Sequence, residues 1–159
     1  MENSPIIAAI KDMTGLEKCL TCDSQVIFIL FGDICNISDI VDKVKSAGKT
    51  AMVHIDLING LSVKEIAVDF IQKFTRADGI ITTKPALIKR ARELELSTIL
   101  RFFVIDSMAY SSIEKQLRSV KPDYIEILPA LMPKVVSHIC RSCLHLFHQS
   151  GCVVSVNYD

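Results

Sequence analysis

Short apolar runs alternate along this chain with one-sided helical patterns, and no two consecutive runs are joined by a hairpin signal. That alternation constrains the fold more than any other feature. Strands without hairpins run parallel, and parallel neighbours need a crossover of a dozen or more residues, usually a helix. Residues 51–61, AMVHIDLINGL, show the unit in full. Their mostly apolar start suits a parallel strand covered on both faces. His54 and Asp56 then alternate with Ile55, which predicts that both side chains share one strand face, at the end leading into Asn59 and Gly60. Ser62 and Glu65 have capping-box spacing, so a helix is predicted from there to about residue 75.

The unit recurs in both directions. Residues 5–10, PIIAAI, read as a buried strand ending at Lys11 and Asp12, and Thr14 with Glu17 predicts a capped helix to about residue 22. Residues 25–31, QVIFILF, form a second strand followed by Gly32 and Asp33. Asn36 or Ser38 can cap the next helix, where Ile37, Ile40, Val41 and Val44 share a face and Gly48 stands at the left-handed position after the last turn. Val63, Ile66, Ala67, Phe70, Ile71 and Phe74 predict the apolar face of the helix after His54. Residues 79–82 make a fourth strand ending in Thr83 and Lys84, and Pro85 opens a helix to about residue 94. Residues 97–105 make a fifth, with Arg101 among apolar neighbours and Asp106 at its end. A helix striped by Ile113, Leu117 and Val120 starts near residue 111 and stops before Pro122; residues 124–128, YIEIL, are a sixth strand carrying Glu126. Residues 152–156 read as a seventh, after a helix ending near residue 149.

Six or seven such units in 159 residues imply one α/β domain, with residues 143–159 an atypical tail. An α/β barrel and an open doubly wound sheet both satisfy the alternation. The nucleotide-binding doubly wound folds carry a G-x-G-x-x-G or G-x-x-x-x-G-K-[ST] loop after an early strand, and the six glycines make neither. The expectation is therefore a TIM-type (β/α) barrel, incomplete at the C-terminus.

Lys plus Arg and Asp plus Glu number 18 each, so no net field draws the chain to nucleic acid or membrane. There is no signal-peptide pattern and no apolar run of bilayer length, which predicts a cytoplasmic protein with no membrane partner. Six cysteines are then expected as reduced thiols. Cys140, Cys143, His145, His148 and Cys152 superficially suggest zinc, but C-x2-C-x-H-x2-H-x3-C matches no common finger, and neither metal nor cofactor is expected.

Strand ends supply the candidate chemistry: Asp12, Asp33, His54, Asp56, Thr83, Lys84, Arg101, Asp106 and Glu126, which a barrel brings to one mouth. Some of these will only cap helices. Arg101 and Glu126 are the most informative, because a charge inside an apolar strand must find a partner or a ligand; Arg101 is expected to lie in the mouth and, without ligand, to meet Glu126 or another strand-end acid. His54 and Asp56 could serve as acid and base, as a metal pair or as a structural hydrogen bond. Lys84, Lys89, Arg90 and Arg92 load one helix with cations, a weak sign of RNA binding on a surface that is commonly just solvated.

The runs PIIAAIKDM, GDI, AGKTAMVHIDLINGL, ADGIITTKPALIKRA, RFFVIDS and KPDYIEILPALMPKV, in that order from Pro5 to about Ile139, resemble the glycerol-3-phosphate-responsive antiterminator proteins of glycerol uptake operons. The resemblance implies a small TIM-type barrel and a non-enzymatic regulator, sensing glycerol-3-phosphate at the C-terminal mouth and binding leader messenger RNA. Carried over by position, Asp33, His54, Asp56, Thr83, Arg101, Asp106 and Glu126 are the implied ligand-binding residues. Two other readings stay open: a barrel enzyme acting on a small phosphorylated or carboxylated substrate, and a ligand-blind remnant of the family. Beyond Ser142 the resemblance is expected to stop, since CLHLFHQSGCVVSVNYD lacks the Gly-Gly strand and the eighth unit whose loops cradle phosphate. A truncated or frameshifted gene, or a divergent subfamily, would end this way. Feeble glycerol-3-phosphate binding and a homo-oligomer that hides the sheet edges are the corresponding expectations.

Overall fold

The computed structural model describes residues 6–104, 107–128 and 151–154. Strands β1 (Ile7–Ile10), β2 (Val26–Ile29), β3 (Thr50–His54), β4 (Gly79–Thr82), β5 (Ser97–Phe103), β6 (Tyr124–Leu128) and β7 (Gly151–Val154) form one sheet. Its spatial order is the chain order, β1 to β7, and every pairing is parallel. A doubly wound sheet reverses direction at a switch point. This one does not, so it is a (β/α) barrel-type sheet, and among the described residues β1 and β7 are its two ends. The crossovers hold helices α1 (Met13–Leu20), α2 (Ile37–Ser46), α3 (Glu65–Phe74), α4 (Pro85–Glu93) and α5 (Ser107–Val120). Among the described residues no helix is long and apolar enough to cross a membrane.

Alternation along each strand divides the core into two faces. Ile27, Ile29, Ala51, Val53 and Ile80 pack outward against Leu16, Val41, Val44, Val68, Ile71, Leu87 and Ala91 of the first four helices. Leu100, Phe102, Ile125 and Ile127 do the same with Ile88, Ile113, Leu117 and Val120 of α4 and α5. The inner face carries Val26, Phe28, Met52, Ile81 and Ile99, with Ile7, Leu30 and Tyr124 against them. Gly79 also belongs to the inner face, and a Cβ there would lie 2.1 Å from the Ser97 carbonyl oxygen and 2.7 Å from the Met52 methyl.

The N-terminal ends of the strands are stitched by polar groups that the sequence pattern did not single out. Lys49, 6% exposed, donates to the carbonyls of Cys22 and Ser24. Asp78 accepts from the Ala51 N–H at 2.7 Å and pairs with Lys45 at 2.7 Å. Thr98 and Asp123 exchange hydrogen bonds between β5 and β6.

Several local expectations are corrected. Neither capping box forms: α1 is capped by Asp12, whose carboxylate accepts from the Gly15 N–H at 2.7 Å, and α3 starts at Glu65 after an N-cap Lys64 with no side-chain cap bond. Ser38 donates instead to the Phe74 carbonyl, and the side chain of Asn36 bonds Asp33 rather than capping α2. Helix α3 is rotated from its predicted face, burying Ala67, Val68 and Ile71 while Val63, Ile66 and Phe74 remain exposed. Helix α5 begins four residues earlier than residue 111, at Ser107. Gly48, at φ +74°, does take the left-handed position after α2, because a residue without a Cβ reaches it without strain. The helix expected to end near residue 149, and the thiols and imidazoles of the tail, lie outside the described residues, except that Cys152 falls within β7.

Candidate functional site

Register alone brings three of the expected residues to the inner face at the C-terminal end. Arg101 stands opposite Glu126, and one layer deeper Ile99 stands opposite Ile81, which stands opposite His54. Arg101 and Glu126 form a two-point ion pair, Nε to Oε2 at 2.6 Å and a terminal guanidinium nitrogen to Oε1 at 3.2 Å. Their side chains are 10% and 1% exposed. A desolvated charge is tolerated in an apolar strand only against such a fork of donors.

His54 is 2% exposed, and its Nδ1 has no hydrogen-bond partner among the described residues. Burial, then the neighbouring Arg101 charge, pushes its pKa down to about 4, against smaller upward effects of Asp56 and of its own backbone. The imidazole is therefore neutral at pH 7, with one nitrogen able to donate and the other to accept.

Asp56 does not share a strand face with His54. Strand β3 ends at His54, and residues Ile55–Leu57 turn as a 3-10 helix. The carboxylate accepts from the Thr82 hydroxyl at 2.6 Å, the Thr83 N–H at 2.7 Å and the Thr83 hydroxyl at 2.8 Å. Burial by itself would raise its pKa, but these three donors and His54 more than offset that and hold it below the usual carboxylate value. The Thr82 oxygen also accepts from the Lys84 N–H, so the start of α4 hangs on the same network. Asp56 and Thr83 thus fix the β3 and β4 loops to each other, and an acid and base pair of His54 and Asp56 is not what the geometry offers.

Asp33 is likewise committed locally, accepting from the N–H groups of Cys35 and Asn36 and from the Asn36 amide. Its loop is laced to the next one: the Ile34 N–H donates to the Asn59 carbonyl and the Asn59 N–H to the Gly32 carbonyl. Asp106 lies outside the described residues. Of the four helical cations, Arg90 pairs with Asp69 at 2.7 Å and Glu93 at 2.8 Å, and Arg92 donates to the Lys121 carbonyl. Lys84 and Lys89 are exposed. Among the described residues no cluster of three His, Cys, Asp or Glu is arranged to hold a metal ion. Tyr124, against the inner cluster two residues before Glu126, was not among the sequence candidates; the β6 alternation that places Glu126 inward places it there too.

These features define a (β/α) barrel-type protein with a buried ion pair and a neutral histidine inside the C-terminal ends of its strands. Residues 6–156 match the profile of the glycerol-3-phosphate responsive antiterminator family, and the chain belongs to that family. It is 44% identical over 139 residues to the uncharacterised protein YgcP of Escherichia coli K12, a match covering 87% of this chain and 73% of that one. A glycerol uptake operon antiterminator regulatory protein of Listeria monocytogenes superposes with a TM-score of 0.90 at 29% identity, covering 99% of this chain and 82% of that one. A glycerol uptake operon antiterminator-related protein of Thermotoga maritima superposes with a TM-score of 0.77 at 31% identity, covering 96% and 94%. The family match runs to residue 156, past the Ser142 at which the likeness was expected to stop.

Proposed function

We propose that this protein is a cytoplasmic, non-enzymatic antiterminator that binds the leader messenger RNA of a glycerol utilisation operon when glycerol-3-phosphate occupies the mouth of the sheet. Family membership over residues 6–156 supports the regulatory role. The observation that carries the site is the Arg101–Glu126 pair beside His54, a cation whose planar fork suits a phosphate as well as a carboxylate. In the free protein Glu126 takes two of the five guanidinium N–H groups, and a phosphate that approaches the others also meets the Glu126 carboxylate. Asp56 and Thr83 serve by holding adjacent loops in place, and Asp33 by shaping the loop after β2. Lys84, Lys89 and Arg92 are the cations proposed to meet RNA phosphates, whereas Arg90 is neutralised by its two acids.

The test is leader RNA binding by mobility shift with and without glycerol-3-phosphate. The expected result is tighter RNA binding with the ligand, a ligand effect lost in Arg101→Ala, and weaker binding with a shallower salt dependence in a Lys84→Ala, Lys89→Ala double variant. RNA binding indifferent to millimolar glycerol-3-phosphate in the wild-type chain would refute ligand control.

A further inference from the structure

We propose that His54 reads a hydroxyl group of the ligand, as a neutral hydrogen-bonding partner one layer beneath the Arg101–Glu126 pair, and thereby sets the preference of the site for a polyol phosphate over a plain alkyl phosphate. The proposal rests on the reading of the mouth as a glycerol-3-phosphate site.

Five polar or charged residues are buried among the described ones: Lys49, His54, Thr82, Thr98 and Glu126. The side chains of four have hydrogen-bond partners among the described residues. Lys49 bonds two carbonyls, Thr82 bonds Asp56, Thr98 bonds Asp123, and Glu126 bonds Arg101. His54 alone of the five keeps a fully buried polar atom, Nδ1, without a partner among the described residues. Buried polar groups are nearly always paired, so this nitrogen is open to a partner other than the described residues. The register places this atom's residue on the inner face, at the level of Ile81 and Ile99, rather than toward the helices.

The chemistry of that partner follows from its neighbours. Among the described residues the charges that act on His54 are Arg101 on β5, itself paired with Glu126 on β6, and Asp56 in the turn that follows His54. Arg101 is the cation of the two, so an anionic ligand end belongs beside it, in the outer layer. A second anion one layer deeper would meet Asp56 and, among the described residues, no cation besides Arg101. A hydroxyl meets no such penalty, because it donates and accepts as a neutral imidazole does. By register Ile81, Ile99 and Tyr124 share this level and Met52 lies one layer deeper, so the surroundings are mostly apolar and one neutral hydrogen bond discriminates strongly.

The experiment is titration calorimetry of the full chain with glycerol-3-phosphate and with 1-propyl phosphate, which lacks both hydroxyls. Wild-type protein, His54→Phe and His54→Asn are compared. The wild type should prefer glycerol-3-phosphate by roughly tenfold to a hundredfold, the range for one hydrogen bond read in an apolar site. His54→Phe should weaken glycerol-3-phosphate by about that factor while leaving propyl phosphate unchanged, and His54→Asn should recover part of the preference. Equal weakening of both ligands would overturn the proposal by assigning His54 a structural role, and so would an unchanged preference. Glycerol-3-phosphate failing to bind wild type would refute the underlying reading as well, whereas binding with an unaltered ratio refutes only this inference. If His54→Phe does not fold, the Nδ1 resonance of wild-type His54 decides: it should move on adding glycerol-3-phosphate and stay in place with propyl phosphate, and movement with both or with neither overturns the proposal.

Discussion

Arg101 and His54 impose opposite requirements on the same few ångströms of the inner face. Glu126, 1% exposed, has Arg101 as its bonded cation. Arg101→Ala therefore leaves a buried carboxylate unpaired, and the expected loss is about 3 kcal/mol of folding free energy by urea denaturation at pH 7. Arg101→Met with Glu126→Gln should lose much less, since neither remaining side chain carries a charge. His54 sets a pH dependence of definite sign. Its folded-state pKa of about 4 lies below the ordinary 6.5, so between those values the unfolded chain binds more protons than the folded one. Stability from this group is complete above pH 6.5 and falls as the pH drops toward 4, by up to about 3 kcal/mol. Urea midpoints measured from pH 7 to pH 4 should show the decline, and His54→Asn should remove this part of it.

At the scale of the element, the strand–helix units are defined by how each helix starts and how closely neighbouring strands approach. Asp12 is the side-chain cap of α1, and Asp12→Ala should cost about 1 kcal/mol by thermal unfolding. Thr14→Ala should cost much less, because the Thr14 and Glu17 capping box does not form. Gly79 allows β4 to approach Ser97 of β5. A methyl group 2.1 Å from a backbone oxygen cannot be relieved by a rotamer change, so Gly79→Ala should lose about 3 kcal/mol or more, or fail to fold. Helix α3 shows where a one-dimensional pattern runs out. Its apolar residues cover more than one face, and packing against α2, β3 and α4 selected Ala67, Val68 and Ile71, leaving Ile66 and Phe74 in solvent.

For the whole molecule the sheet order sets the next expectation. Among the described residues β1 pairs only with β2, and an open parallel edge with apolar side chains is a template for association. Sedimentation velocity at tens of micromolar should show dimers or larger species, with the first strand protected from amide exchange. A monodisperse monomer with equal protection would mean that the remainder of the chain covers that edge. The sequence by itself determined the succession of strands and helices, their parallel sense, and the strand-end residues from which Arg101, Glu126 and His54 came. It did so because alternation, helical period and an isolated charge in an apolar run are local properties of the chain. Only the tertiary structure decided what those residues do. Asp56 anchors loops because its partners Thr82 and Thr83 lie 26 and 27 residues away, and Arg90 is neutralised by Asp69, 21 residues away. His54 keeps an unpaired nitrogen because no described neighbour on β4, β5 or β6 bonds it. Whether a polar side chain is occupied or left for a ligand depends on which strands become neighbours, and that is settled by the register of the folded sheet.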